Sequence, residues 1–192
     1  MRVSREKAAE TRERILEAAG ELFRAKGFGG GGVADIMQAA HLTHGGFYGH
    51  FAAKDELVAE ASRRIMARTA AKWGRVAAGA PDKPYAALLD DYLSARHRDD
   101  PGRGCPLAAL GADAARGGTA VRGAFADGIH ALIDILTDAL PGFSKAAKRR
   151  KAIAALSALV GALTLARAAE DGALSDEILE AVHQELRTAT YR

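Results

Sequence analysis

Thr43-His44-Gly45-Gly46-Phe47-Tyr48-Gly49-His50-Phe51 is the stretch whose reading decides the fold. If these residues coil into one short helix, offsets of three and four put Phe47 and Phe51 on one side and His44, Gly45 and Tyr48 on another. One face then packs and the other is free to read a partner. Thr43 is placed to cap such a helix by accepting from the first free backbone N–H groups, and those groups favour an anion such as a DNA phosphate. Gly45 and Gly46 each cost roughly 1 kcal/mol relative to Ala inside a helix, and close approach of the backbone to a partner is one reason to carry both. A buried aromatic turn is the alternative reading of the same residues.

Upstream, residues 5 to 26 alternate charge with Ile15, Leu16, Ala19, Leu22 and Phe23, the spacing of a helix with a single core stripe. Gly27 stands where a helix C-terminal glycine belongs, and Lys26 in the last turn suits the macrodipole. Gly29 to Gly32 make a loose connection, after which Val33, Ile36, Met37 and Ala40 give a second, short stripe. His41 and Leu42 separate that stripe from Thr43. Two short helices joined by a tight turn, the second with a polar outer face, form a helix-turn-helix.

Downstream, Lys54 and Asp55 open a long helix that runs to about residue 78 through Leu57, Val58, Ala61, Ile65, Met66 and Trp73. Gly79, Pro81 and Pro84 end it, and Tyr85, Leu88, Leu89, Tyr92 and Leu93 keep helical spacing up to His97. Asp99 to Gly104 reads as a loop, and Pro106 to Ala115 as a short helix with proline in its first turn, stopped by Gly117 and Gly118. Val121, Phe125, Ile129, Leu132, Ile133, Leu136 and Leu140 form the strongest apolar stripe of the C-terminal part, ended by Pro141-Gly142. Ile153, Leu156, Val160 and Leu163 follow on another helix, whose Ala154, Ala155, Ala158, Gly161 and Ala162 leave a flank smooth enough for a second helix to approach closely. A last helix over about 175 to 190 carries Ile178, Leu179, Val182 and Leu186. No convincing period-two strand or internal repeat is visible, so the fold class is all-α.

With 192 residues and 48% hydrophobic content, the chain is long enough for one or two domains and a sizeable core. The formal net charge of +3 permits a nucleic-acid partner without arguing for one. Cys105, the single cysteine, excludes an internal disulfide and a multi-cysteine zinc site and suits a reducing compartment. The N-terminus lacks the apolar core of a signal peptide, so a cytoplasmic location is expected. The most membrane-like run, Ala152 to Ala166, falls short of the ~20 apolar residues that cross a bilayer, and no membrane association is expected.

Thr11 to Leu57 resembles the DNA-binding domain of the TetR/AcrR family of transcriptional regulators. The likeness rests on Arg14-Ile15-Leu16-Glu17-Ala18-Ala19, then Leu22-Phe23 with Gly27-Phe28, then Val33 with Ile36, and finally Thr43, Gly45-Gly46-Phe47-Tyr48, His50-Phe51, Lys54 and Leu57. Gly104-Cys105-Pro106-Leu107 is similar to a segment found in one subgroup of that family. The resemblance implies about nine helices, with a three-helix reading head over 1–53 and a helical ligand-binding and dimerisation domain over 54–192. It implies a homodimer that binds a palindromic operator in double-stranded DNA, most often as a repressor, and that a small-molecule effector releases. By similarity Thr43, His44, Gly45, Tyr48, His50 and Lys54 are the DNA-facing positions, with Tyr48 and Thr43 donating hydroxyls to phosphates and Lys54 placing a charge on the backbone. The dimer interface implied comprises Ala158, Gly161 and Ala162 with Leu179 and Val182.

The chain departs from the family pattern at Gly31 and Gly32, where a capping hydroxyl is usual, at His41, where a turn glycine is usual, and at His44, often a lysine. His41 in a left-handed turn costs about 1 kcal/mol relative to glycine. A histidine of reference pKa about 6.5 attracts phosphate less at neutral pH than a lysine, so DNA binding is expected to be weaker and more pH-sensitive.

Trp73, Tyr85, Leu89, Tyr92, Cys105, Leu107, Phe125 and Ile129 sit on the helices that surround the ligand cavity in the family, and the scarcity of charge there favours a largely apolar effector. Cys105 precedes Pro106 at a helix start, where the dipole and Arg103 favour thiolate; it reads either as a sensor of oxidants or electrophiles or as a small core residue. His41, His44 and His50 lack the spacing and the carboxylates of a metal site, and His97, His130 and His183 are isolated. No nucleophile and base, carboxylate cluster, phosphate loop or cofactor motif is present, which excludes an enzyme and any implied cofactor. The basic run Lys145, Lys148, Arg149, Arg150 and Lys151 reads as a solvated helix start. An architectural DNA-binding protein without an effector is the rival function.

Overall fold

The computed structural model describes residues 5–142 and 144–188. Nine α-helices and two 3-10 segments make up its regular structure, with no strand among the described residues. They are α1 (Arg5–Lys26), α2 (Val33–Ala39), a 3-10 segment (His44–Gly49), α3 (Lys54–Ala78), α4 (Pro84–Tyr92), α5 (Ala95–Asp99), a 3-10 turn (Pro101–Arg103), α6 (Pro106–Arg116), α7 (Thr119–Ala139), α8 (Lys145–Ala168) and α9 (Gly172–Thr188).

α1 ends where its sequence says it should, because Gly27 takes a φ of 76° that a side chain would resist, and its N–H donates to the Phe23 carbonyl. Ile15, Leu16, Ala19 and Phe23 of α1 are buried against α3 and the head. α3 is the shared spine, packed on α1 along one side and on α7 along another. The approach is close at two glycines. A Cβ on Gly128 of α7 would lie 2.7 Å from Met66 Cβ, and one on Gly20 of α1 would lie 2.7 Å from Ile65 Cγ2.

The head is joined to the body at the end of α1. Arg24 Nε donates to the Gly102 carbonyl at 2.6 Å, and the Phe28 N–H donates to the Asp113 carboxylate at 3.2 Å. The Phe28 ring meets Phe23 and Phe125 edge to face, at 5.5 and 6.5 Å between centroids.

Three expectations are corrected. The helix begun at Pro84 stops at Tyr92 instead of running to His97: Leu93 leaves helical geometry, and Ser94 starts α5 by accepting from the His97 N–H at 3.3 Å. The Asp99 to Gly104 loop contains the end of α5 and a 3-10 turn, which Asp100 caps by accepting from the Arg103 N–H. α9 begins at Gly172, three residues before the expected start, and residues 189 and 190 of its expected end lie outside the described residues. α8 is also long and apolar enough by composition to cross a bilayer, which the shorter run did not indicate, yet Leu156, Leu159 and Leu163 pack it into the core.

Candidate nucleic-acid interface

The stretch from His44 to Gly49 is a 3-10 segment, not an α-helix, and Thr43 makes no side-chain cap; its carbonyl instead accepts from the Gly46 N–H at 3.0 Å. Gly45, Gly46 and Gly49 explain the tighter, shorter coil, since each disfavours the propagation of an α-helix. The division of faces survives the change. Phe47 and Phe51 are 0 and 1% exposed and stack at 5.6 Å, whereas Tyr48 is 68% exposed and His44 and Gly45 lie beside it in solvent.

His41 adopts a φ of 56°, the left-handed turn expected of it. Gly32 caps α2 in extended geometry, and Asp35 accepts from the Gly32 N–H at 2.7 Å. That carboxylate satisfies the cap residue's own N–H, the reciprocal half of a capping box, while no side chain at Gly32 accepts from the first helical N–H groups. Its signal was legible as an acid three residues after the cap.

Two arginines to which the sequence reading gave no role hold the reading segment in place. The Arg12 guanidinium lies 4.4 Å above the Phe51 ring and forms a two-pronged pair with the Glu60 carboxylate of α3, which raises its pKa. Arg14 donates to the Ala40 carbonyl at the end of α2 at 2.5 Å. Lys54, at the first position of α3, directs its ammonium to the Gly31 carbonyl at 2.8 Å, tying α3 to the loop before α2. His50 is partly buried and Thr43 is exposed at the rim. The result is an aromatic wedge on a clamped support, presenting a tyrosine and a histidine on one face.

Residues 15–61 match the family model for bacterial regulatory proteins of the tetR family. Residues 83–185, more than half of the chain, match the model for the C-terminal domain of LmrA/YxaF-like transcriptional regulators. The chain belongs to the TetR family of bacterial regulatory proteins. It is therefore a DNA-binding transcriptional regulator with a helix-turn-helix head, and not an enzyme.

The HTH-type transcriptional regulator TtgR of Pseudomonas putida is 43% identical over 58 residues, which is 30% of this chain and 28% of that relative. The match thus spans little more than a quarter of the relative's length. Among solved structures, a TetR transcriptional regulator from Chloroflexus aurantiacus superposes with a TM-score of 0.81 at 23% identity, over 97% of both chains. The reduced form of NemR from E. coli gives 0.78 at 20% identity, over 93% of this chain and 96% of that one. At these identities the likeness is one of fold.

In the body of this TetR-family regulator, Trp73, Leu89, Tyr92, Cys105, Leu107 and Phe125 are all buried, and Ile129 is partly so. Tyr85 is buried at the edge of a crevice of about 150 Å³ shared with Lys83 and Arg187, and burial pushes its phenol up to about 12. Tyr92 is also held well above the usual tyrosine range, first by burial and then by the neighbouring Cys105. His97, which the sequence reading took as isolated, joins these two residues. Its Nδ1 lies 2.7 Å from the Tyr92 carbonyl, which only accepts, and its Nε2 receives the Cys105 N–H at 2.8 Å. Arg103 is paired at 3.9 Å with Glu21 of α1.

Of the expected dimer residues, Ala162 and Leu179 are buried in their own chain, while Ala158, Gly161 and Val182 are partly exposed. On the same two helices Ile153, Leu165 and Leu174 are 44, 60 and 47% exposed.

Proposed function

We propose that the chain acts as a homodimeric repressor that binds a two-fold-related operator through residues 1–53 and is released by a largely apolar effector held in residues 54–192. The observation that carries the dimer is that α8 and α9 leave Ile153, Leu165 and Leu174 exposed, on the same two helices as the partly exposed Ala158, Gly161 and Val182. Large apolar side chains left exposed on neighbouring helices favour a protein partner, and a second copy of the same helix pair makes a closed, isologous one. Two heads related by that axis would read two half-sites.

In this reading, Thr43, His44, Gly45, Tyr48, His50 and Lys54 face the duplex, with hydroxyls and cations on phosphates and His44 or the backbone at Gly45 nearest the base edges. The effector would contact some of Trp73, Tyr85, Leu89, Tyr92, Leu107, Phe125 and Ile129, an apolar and aromatic set. Cys105 is read as a core residue, supported by its 2% exposure and by the engagement of its N–H with His97.

Gly161→Arg tests the interface, because an added Cβ meets nothing within 4 Å and Gly161 is partly exposed in the monomer. The variant is expected to sediment as a folded monomer and to lose cooperative operator binding. A variant that stays dimeric would refute this placement of the interface.

A further inference from the structure

α1 begins at Arg5, ahead of the family match that opens at residue 15, and its first turns run alongside the reading segment. A crevice of about 380 Å³ is lined by Lys7, Ala8 and Thr11 of α1 together with Thr43 and His50 of the reading segment and the apolar Met37 and Leu42. We infer that this crevice seats the sugar-phosphate backbone of bound duplex DNA, with the Lys7 ammonium on a phosphate and the apolar lining against deoxyribose. α1 thereby becomes a DNA-contacting element in addition to the helix-turn-helix.

The surface is continuous with the one that reads DNA, since Thr43 and His50 border both. Its charge is arranged for the purpose. Glu6, Glu10, Glu13 and Glu17 recur at helical offsets on α1 and centre roughly 140° around the axis from Lys7, Ala8 and Thr11. Glu13 and Glu17 are turned to α3, where they pair with Arg64 and Arg68. Glu13 and Glu17 are thus directed toward the protein's own cations, Glu6 and Glu10 face solvent away from the crevice, and the crevice side carries Lys7.

The support is rigid as well, because Arg12 and Arg14 fix the next turn of α1 to Phe51, Glu60 and Ala40. Thr11 donates its hydroxyl hydrogen to the Lys7 carbonyl at 2.8 Å, bracing the turn that carries the exposed Lys7 side chain.

The inference rests on the DNA-binding head and is tested on the full chain with mixed-sequence duplex DNA over roughly 50–200 mM salt. Lys7→Gln is expected to weaken binding several-fold and to reduce the slope of log affinity against log salt by about 0.9 per bound head, or about 1.8 for a dimer with both heads on DNA, one phosphate's counterion for each lysine removed. Lys7→Arg should keep the wild-type slope, and the thermal midpoint of both variants should match wild type. A Lys7→Gln slope equal to wild type would overturn the inference while leaving the head's role intact. A wild-type chain that retains no duplex would overturn both.

Discussion

His97 shows how a single side chain can set a condition on stability. Its ring donates to the Tyr92 carbonyl from Nδ1 and accepts the Cys105 N–H at Nε2, so the fold requires the neutral ring with its proton on Nδ1. Burial lowers its pKa, outweighing the favourable contact with the Tyr92 carbonyl, and the Arg167 cation adds to the lowering. The unfolded chain therefore binds the proton more readily than the folded one below about pH 6.5. The stability held by neutral His97 is present above that pH and is lost as pH falls through the folded pKa. Urea unfolding midpoints measured downward from about pH 7.5 are expected to fall below pH 6.5, and His97→Gln, though less stable at neutral pH, should remove part of that fall. An identical pH profile in the variant would contradict this role. At the reading face, His44→Lys places a permanent charge on an exposed position. It should tighten duplex binding and steepen its dependence on salt, read by titration at two salt concentrations.

At the scale of elements, the tightest constraint is the crossing of α3 and α7 at Gly128. Gly128→Ala would drive a methyl group into Met66 near its Cβ, which cannot swing away as the end of a flexible side chain can. The variant is expected to lose about 1–3 kcal/mol of unfolding free energy in denaturant titration. The ends of α1 and α3 were legible in the sequence because their signals are local: a single apolar stripe, Gly27 after it, and a proline-rich stop after residue 78. The exposure of Tyr48 over buried Phe47 and Phe51 was legible for the same reason, since it depends only on offsets along the chain. The break between α4 and α5 was not, because apolar spacing continues through Leu93, and what halts the helix is Ser94 together with the reach of His97 back to Tyr92. Nor was the clamp on the reading segment. Arg12 meets Glu60 and Phe51 across separations of dozens of residues, which no local pattern encodes.

Across the whole molecule, three surfaces are joined through one spine. The reading head rests on α1 and the start of α3; Arg24, Phe28 and Asp113 join it to the body; and α8 and α9 expose the apolar side chains that would pair two copies. Asp113 of α6 accepts from the Phe28 N–H and Phe125 of α7 meets the Phe28 ring, so under the proposed effector response a displacement of α6 or α7 would bear on the end of α1. The central claim is that these parts read one DNA sequence as a symmetric pair. Its most direct test is to incubate the purified chain with fragmented DNA of its own genome at moderate salt, recover what is bound and sequence it. A few fragments that share a palindrome should be enriched. Sequence-blind recovery that vanishes as salt rises would contradict the claim and would mark the chain as a general DNA-binding protein held by phosphate contacts alone.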